Sequence, residues 1–141
     1  MSDNSDIDLV RRFWETLARR DFDALGQFMA PEGHYVDVPV KDIEPGAYGP
    51  EETAARARLG LEPLHDYELH DGRIVASGGY VVTEHSETWV WEPGKSVTLP
   101  FASVMEIGDG KVQRWWDYFD LNTLMGAAPQ WWLDHIAKGY K

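Results

Sequence analysis

Three short stretches of the chain set carboxylates and an imidazole among aromatic rings: HYVD at 34–37, EHSETWVW at 84–91 and RWWDYFD at 114–120. An ionised carboxylate loses free energy beside apolar walls unless donors or an opposite charge compensate, so Asp117 either points to solvent or does chemistry. A carboxylate base, a second proton-bearing group and a tyrosine hydroxyl are the parts of general acid–base catalysis. In a strand, residues two apart share a face. His85 and Glu87 therefore align with Val81, Thr83, Trp89 and Trp91, Asp117 aligns with Gln113, Trp115 and Phe119, and Tyr35 aligns with Asp37. Val97, Leu99, Phe101, Ser103 and Met105 form a nearly continuous apolar face that must be interior. The five polar residues Tyr35, Asp37, His85, Glu87 and Asp117 converge if these faces all turn inward. On the residues alone, an exposed polar patch at His85 and Glu87 and a core tyrosine at Tyr35 explain the pattern as well.

The elements that would position them follow from periodicity. Leu9, Val10, Phe13, Trp14 and Leu17 recur at helical spacing between Asp6 and Ala18. A second helix is predicted from Phe22 to Met29, capped by Asp21 and stopped by Pro31 and Gly33, and a third over PEETAARARLG, 50–60. HYVDVPV reads as a strand. From Tyr67 the period becomes two, predicting strands at 66–70, 73–77, 79–91, 96–107 and 111–119, with HDGR, EPGK and GDGK as tight turns. A last helix is predicted within 121–139. Helices followed by long hairpins define an α+β fold, a curved, mixed and mostly antiparallel sheet wrapped over N-terminal helices as a cone. A cone open at one end suits a small molecule.

With 141 residues there is material for one core, so a single domain over 1–141 is expected. A formal charge of -11 argues against nucleic acid and anionic membranes as partners. No cysteine is present, which removes disulfides, thiolate nucleophiles and cysteine-held zinc. The polar start and the lack of a long apolar run point to a cytoplasmic chain. The five histidines are scattered without ligand spacing, so neither metal nor cofactor is expected.

The order helix–helix–strand–helix–meander, with HYVDVPV, AYGPEE, VVTEHSETW and WWDYFDL, resembles the limonene-1,2-epoxide hydrolase family. That family lies within the nuclear transport factor 2-like group, which also holds SnoaL-like cyclases and ketosteroid isomerases. The resemblance implies that Asp117 is the base activating water and that Tyr35 helps hold that water. The family's asparagine falls at Asp37, its arginine at His85 and its acidic aspartate at Glu87. Arginine is a cation at any working pH, whereas histidine can be neutral and can move protons. The expected site thus holds three carboxylates and at most one imidazolium.

The leading expectation is a cofactor-free epoxide hydrolase acting on a small apolar terpenoid, steroid-like or polyketide epoxide lined by Trp89, Trp91, Phe101, Trp115 and Phe119. Two other readings stay open: enolate chemistry of the cyclase or ketosteroid-isomerase kind, and a plain small-ligand-binding module. Trp115 and Trp116 face opposite ways and cannot both line one cone, so a homodimer on the outer sheet face is expected.

Overall fold

A computed structural model describes residues 2–141. Helix α1, Asp3–Ala18, opens with a capping box in which Ser2 and Ser5 satisfy each other's backbone N–H groups. Its apolar stripe, Leu9, Val10, Phe13, Trp14 and Leu17, is buried against the sheet. Helix α2 runs only from Phe22 to Gly26, with the Asp21 carboxylate accepting from the Ala24 N–H. Strand β1, Met29–Asp37, follows at once, so Met29 belongs to a strand and neither Pro31 nor Gly33 terminates a helix. Both lie where β1 slips register between Met29 and His34, an interruption that tolerates a proline without an N–H to give. A 3-10 turn takes Val38–Val40, so the predicted strand ends at Asp37.

Short strand β2, Ala47–Tyr48, leads into α3, Gly49–Leu61, with Pro50 in its first turn. Four long strands follow: β3 Asp66–Ser77, β4 Tyr80–Glu92, β5 Lys95–Gly108 and β6 Lys111–Tyr118. HDGR is not a hairpin: Asp71 and Gly72 form a bulge inside one continuous β3, where the register against β4 slips between His70 and Arg73. A Cβ on Gly72 would sit 1.5 Å from the Glu84 carbonyl oxygen, so the bulge brings two backbones together where only glycine fits. The β3–β4 turn falls instead at Gly78–Gly79, both at positive φ. The predicted last helix is two, α4 Leu121–Ala127 and α5 Gln130–Ile136, parted at Pro129, whose ring cannot continue a helix.

The sheet order is β2-β1-β6-β5-β4-β3, with β1 and β6 parallel and all other neighbours antiparallel. The helices cover its concave face. Register then does what alternation cannot. Thr83, Ser103, Asp117 and Asp37 stand side by side in one row across β4, β5, β6 and β1, and all but Asp37 are fully buried. The adjoining row is Val81, Met105, Trp115 and Tyr35, apolar apart from the Tyr35 hydroxyl and the Trp115 indole N–H. One polar row thus crosses the interior, with His85 and Glu87 buried further along the same face of β4. Among the described residues no helix is long and apolar enough to cross a membrane.

Candidate active site

Asp117 sits at the centre of the polar row. Its Oδ1 accepts two hydrogen bonds, from the Ser103 hydroxyl at 2.5 Å and from the Trp115 indole N–H at 2.7 Å. Its Oδ2 accepts none from the described residues, so the carboxyl is pinned by one oxygen and presents the other. Burial, then the negative charge of Asp37, pushes its pKa well above the usual carboxylate range, against the pull of the two donors.

Beside it on β1, the Tyr35 ring stacks on Trp115 at 3.7 Å and its hydroxyl reaches the Asp37 carboxylate over a long 3.4 Å. Burial and the neighbouring carboxylates hold Tyr35 as a neutral phenol. Asp37 also has a raised pKa, from burial working against Arg56. Arg56, on α3, closes on Asp37 Oδ2 at 2.9 Å, and the side chains are only 12% and 19% exposed. This corrects the expectation that the carboxylates face at most an imidazolium, because a permanent cation enters from a different element. Arg56 is also 3.6 Å from Glu44, which accepts a bond from the Tyr140 hydroxyl at 2.8 Å, so the C-terminal segment closes over the guanidinium. The sequence signal was available: Arg56 lies three residues after Thr53 and four before Gly60, along the buried edge of α3.

His85 and Glu87 come together on β4, with Nε2 and Oε2 2.8 Å apart, and the Trp89 indole N–H donates to Glu87 Oε1 at 3.1 Å. Both residues are buried, so the exposed-patch explanation is excluded. His85 does not reach Asp117; its ring lies parallel to Phe101 at 5.4 Å and tilted on Trp14 at 4.6 Å. The buried Tyr67 hydroxyl, on β3, lies beside the Glu87 carboxylate without a well-formed hydrogen bond to any described residue, and burial, then the charge of Glu87 and the phenol's donation toward it, pushes its pKa well up. Tyr67 and Ser103 were missed because a tyrosine or serine on an apolar strand face reads as packing.

Of the five aromatic residues expected to line the cone, Phe101, Trp115 and Trp89 contact the polar groups directly, and Phe119 packs on Phe101 at 5.0 Å. Trp89 and Trp91 form a cluster with Trp132 of α5, at 5.8 and 5.7 Å, which stands across this end of the cone. Among the described residues no three His, Asp or Glu side chains gather closely enough to hold a metal ion.

A curved sheet closed over helices, with buried carboxylates and aromatic walls, defines the nuclear transport factor 2-like cone fold, and the comparisons with known proteins agree. A SnoaL-like polyketide cyclase assignment from Jannaschia sp. CCS1 superposes with a TM-score of 0.77 at 18% identity, covering 90% of this chain and 94% of that one. A limonene-epoxide-hydrolase-like epoxide hydrolase of Mycobacterium tuberculosis superposes with a TM-score of 0.74 at 23% identity, covering 97% and 98%. At these identities the superpositions establish the fold. Epoxide hydrolase EphG of M. tuberculosis is 29% identical over 112 residues, 79% of this chain and 71% of that protein. The model of the limonene-1,2-epoxide hydrolase catalytic domain matches residues 4–130. The chain belongs to that family and is an epoxide-hydrolase-like enzyme.

Proposed function

We propose that this chain adds water to a small, largely apolar epoxide, with no covalent intermediate and no cofactor. The observation that carries the reading is the half-pinned carboxyl of Asp117: Oδ1 is fixed by Ser103 and Trp115, and Oδ2 is free on the same row as Asp37. A water between Asp117 Oδ2 and the Tyr35–Asp37 pair would lose a proton to Asp117 as its oxygen bonds to carbon. The carbon–oxygen bond of the ring breaks, and its oxygen leaves with a proton from the Glu87–His85 pair. Tyr67, a buried phenol beside Glu87 whose hydroxyl makes no well-formed bond to the described residues, is placed to steady that oxygen. The proton gained by Asp117 returns to the pair through solvent before the next turnover. A base whose pKa is raised toward the working pH takes a proton more readily than an ordinary carboxylate. Arg56 offsets part of the burial that raises the Asp37 pKa and fixes that carboxyl across the row from Asp117.

One observation favours a second reading. Asp117 with Tyr67 is also one base with one oxyanion donor, which is all that proton transfer beside a carbonyl requires. Single turnover in heavy-oxygen water separates the two. Label in the diol and none in the protein is the expected result, because the attack is direct. A product of unchanged mass carrying solvent deuterium next to a carbonyl would replace hydrolysis with isomerisation.

A further inference from the structure

After α5 ends at Ile136 the chain is exposed for three residues, Ala137 to Gly139, and then Tyr140 returns to pack against the body of the protein. Gly139 makes the reversal at a φ of +77°, which a side chain would resist. The Tyr140 hydroxyl donates to Glu44 Oε1 at 2.8 Å, its ring lies 5.5 Å from the Arg56 guanidinium, and Lys141 Nζ donates to the Gly46 carbonyl at 3.2 Å. The tail is thus tied to the loop between the 3-10 turn and β2. The same guanidinium lies over the Tyr35 ring at 5.6 Å, so one cation joins the tail to the site.

Arg56 stands between two carboxylates. Its Nη2 donates to Asp37 Oδ2 at 2.9 Å, whereas its Nη1 is 3.6 Å from Glu44 Oε1, beyond hydrogen-bond length. Glu44 is a rival for the cation: burial raises its pKa, but donation from Tyr140, then from the Gly46 N–H, and the charge of Arg56 leave it below the usual carboxylate range. What keeps the guanidinium off it is that Oε1 is already occupied, by the Gly46 N–H at 2.9 Å and by Tyr140. A carboxylate oxygen offers about two lone pairs, and both are taken. Tyr140 stays a donor through the neutral range, because burial and the bond to Glu44 push the phenol up to about 12 against the charge of Arg56. Without that hydroxyl, the donor standing beside the vacated lone pair is Arg56 Nη1.

We propose that Tyr140 is a positioning residue of the Asp117 site, whose hydroxyl fills Glu44 and thereby commits Arg56 to Asp37. The proposal rests on the reading of Asp37 as one of the groups that hold the attacking water. When the hydroxyl is absent the guanidinium swings toward Glu44 and its bond to Asp37 lengthens. Asp37 then loses part of the counter-charge that opposes its burial, and Tyr35, whose bond to it is already long at 3.4 Å, loses a fixed partner.

The titration of Asp37 tests this without turnover, followed by carbon-13 in the aspartate carboxyls, with Asp37→Asn to identify the signal. Arg56 faces Asp37 from α3, Tyr35 from its own strand, Asp117 from β6 and Glu87 from β4, and Tyr140→Phe replaces none of them. The phenylalanine ring still covers the guanidinium, so only the hydroxyl is tested. The Asp37 midpoint is expected to move alkaline by about half a pH unit, the weakening of an ion pair drawn out by about 1 Å near a protein surface. Glu44→Gln removes the rival, so its midpoint should lie at or below that of wild type, and Tyr140→Phe added to it should change nothing further. On the epoxide, Tyr140→Phe should lower kcat with KM unchanged, and the double variant should recover it. An unmoved Asp37 midpoint in Tyr140→Phe, or a shift that persists in the Glu44→Gln background as a packing role would give, overturns the inference. The expected carbon-13 pattern with an unaltered kcat would instead refute the water-holding role of Asp37, with Arg56 still committed by Tyr140.

Discussion

Asp117→Asn tests the site most directly, because the structure assigns it opposite effects on activity and stability. The amide oxygen can keep both bonds that Oδ1 accepts, from Ser103 and Trp115, and the amide nitrogen takes the place of the free Oδ2. No packing is lost, but the proton acceptor is. General-base catalysis is worth about 10²–10⁴ in rate, so turnover should fall by that factor, about 3–5 kcal/mol of barrier. Stability should move the other way. Burial and Asp37 raise the Asp117 pKa in the folded chain, so folding strengthens proton binding, and the protonated carboxyl's contribution is present in acid and lost as pH rises through the folded pKa. The variant cannot ionise. It should match wild type below the ordinary carboxylate pKa, gain on it as pH rises, and hold a constant lead above the raised pKa. Each pKa unit of elevation is about 1.36 kcal/mol of that lead, or about 3–5 °C in Tm for a chain of this size. Melting curves by circular dichroism from acid to mildly alkaline pH, with epoxide turnover on the same samples, measure both. The wild-type kcat/KM should rise with pH across a limb above the usual carboxylate range, since the base must be ionised. A variant less stable than wild type at neutral pH, or one that keeps near-normal turnover, would refute the assignment.

Arg56→Met should destabilise by about 3 kcal/mol, because it leaves the Asp37 carboxylate buried without a counter-charge, while Arg56→Met with Asp37→Asn should recover most of the loss in chemical denaturation. Gly72→Ala should cost about 3 kcal/mol, since its Cβ would meet the Glu84 carbonyl and open the bulge; wild-type stability would mean the bulge does not hold β3 against β4. A homodimer is expected, with sheet stacked on sheet. Val75, Val82, Val104 and Trp116 stand in register across the outer face, and Val75 and Val82 are 63% and 38% exposed. Light scattering at tens of micromolar should give twice the chain mass, and a monomer would reject it.

Much of the architecture was legible because period and turn chemistry are local. The stripe of α1, the caps at Asp21 and Pro50, and the inward faces of β4, β5 and β6 all follow from residues a few positions apart. What misled were signals whose meaning depends on a distant partner. HDGR carries the composition of a hairpin turn, but β4 is long enough to pair with β3 on both sides of Gly72, and one extra residue then makes a bulge rather than a reversal. Pro31 and Gly33 look like helix stops, yet β6 offers β1 a parallel edge with its register broken where they fall.

The same division runs through the site. By itself the sequence determined which side chains share a face: Tyr35 with Asp37, His85 with Glu87, Asp117 between Trp115 and Phe119. Side-chain direction in a strand is fixed by the pleat, whatever lies next to it. Only the tertiary structure decided which faces meet and with what charge. Register set Asp117 beside Ser103 and Asp37, and helix packing brought Arg56 to Asp37. Charge balance and proton affinity depend on distance through space and on exclusion of water. Both arise when separate elements close on one another, so neither can be read from the spacing of residues along one of them.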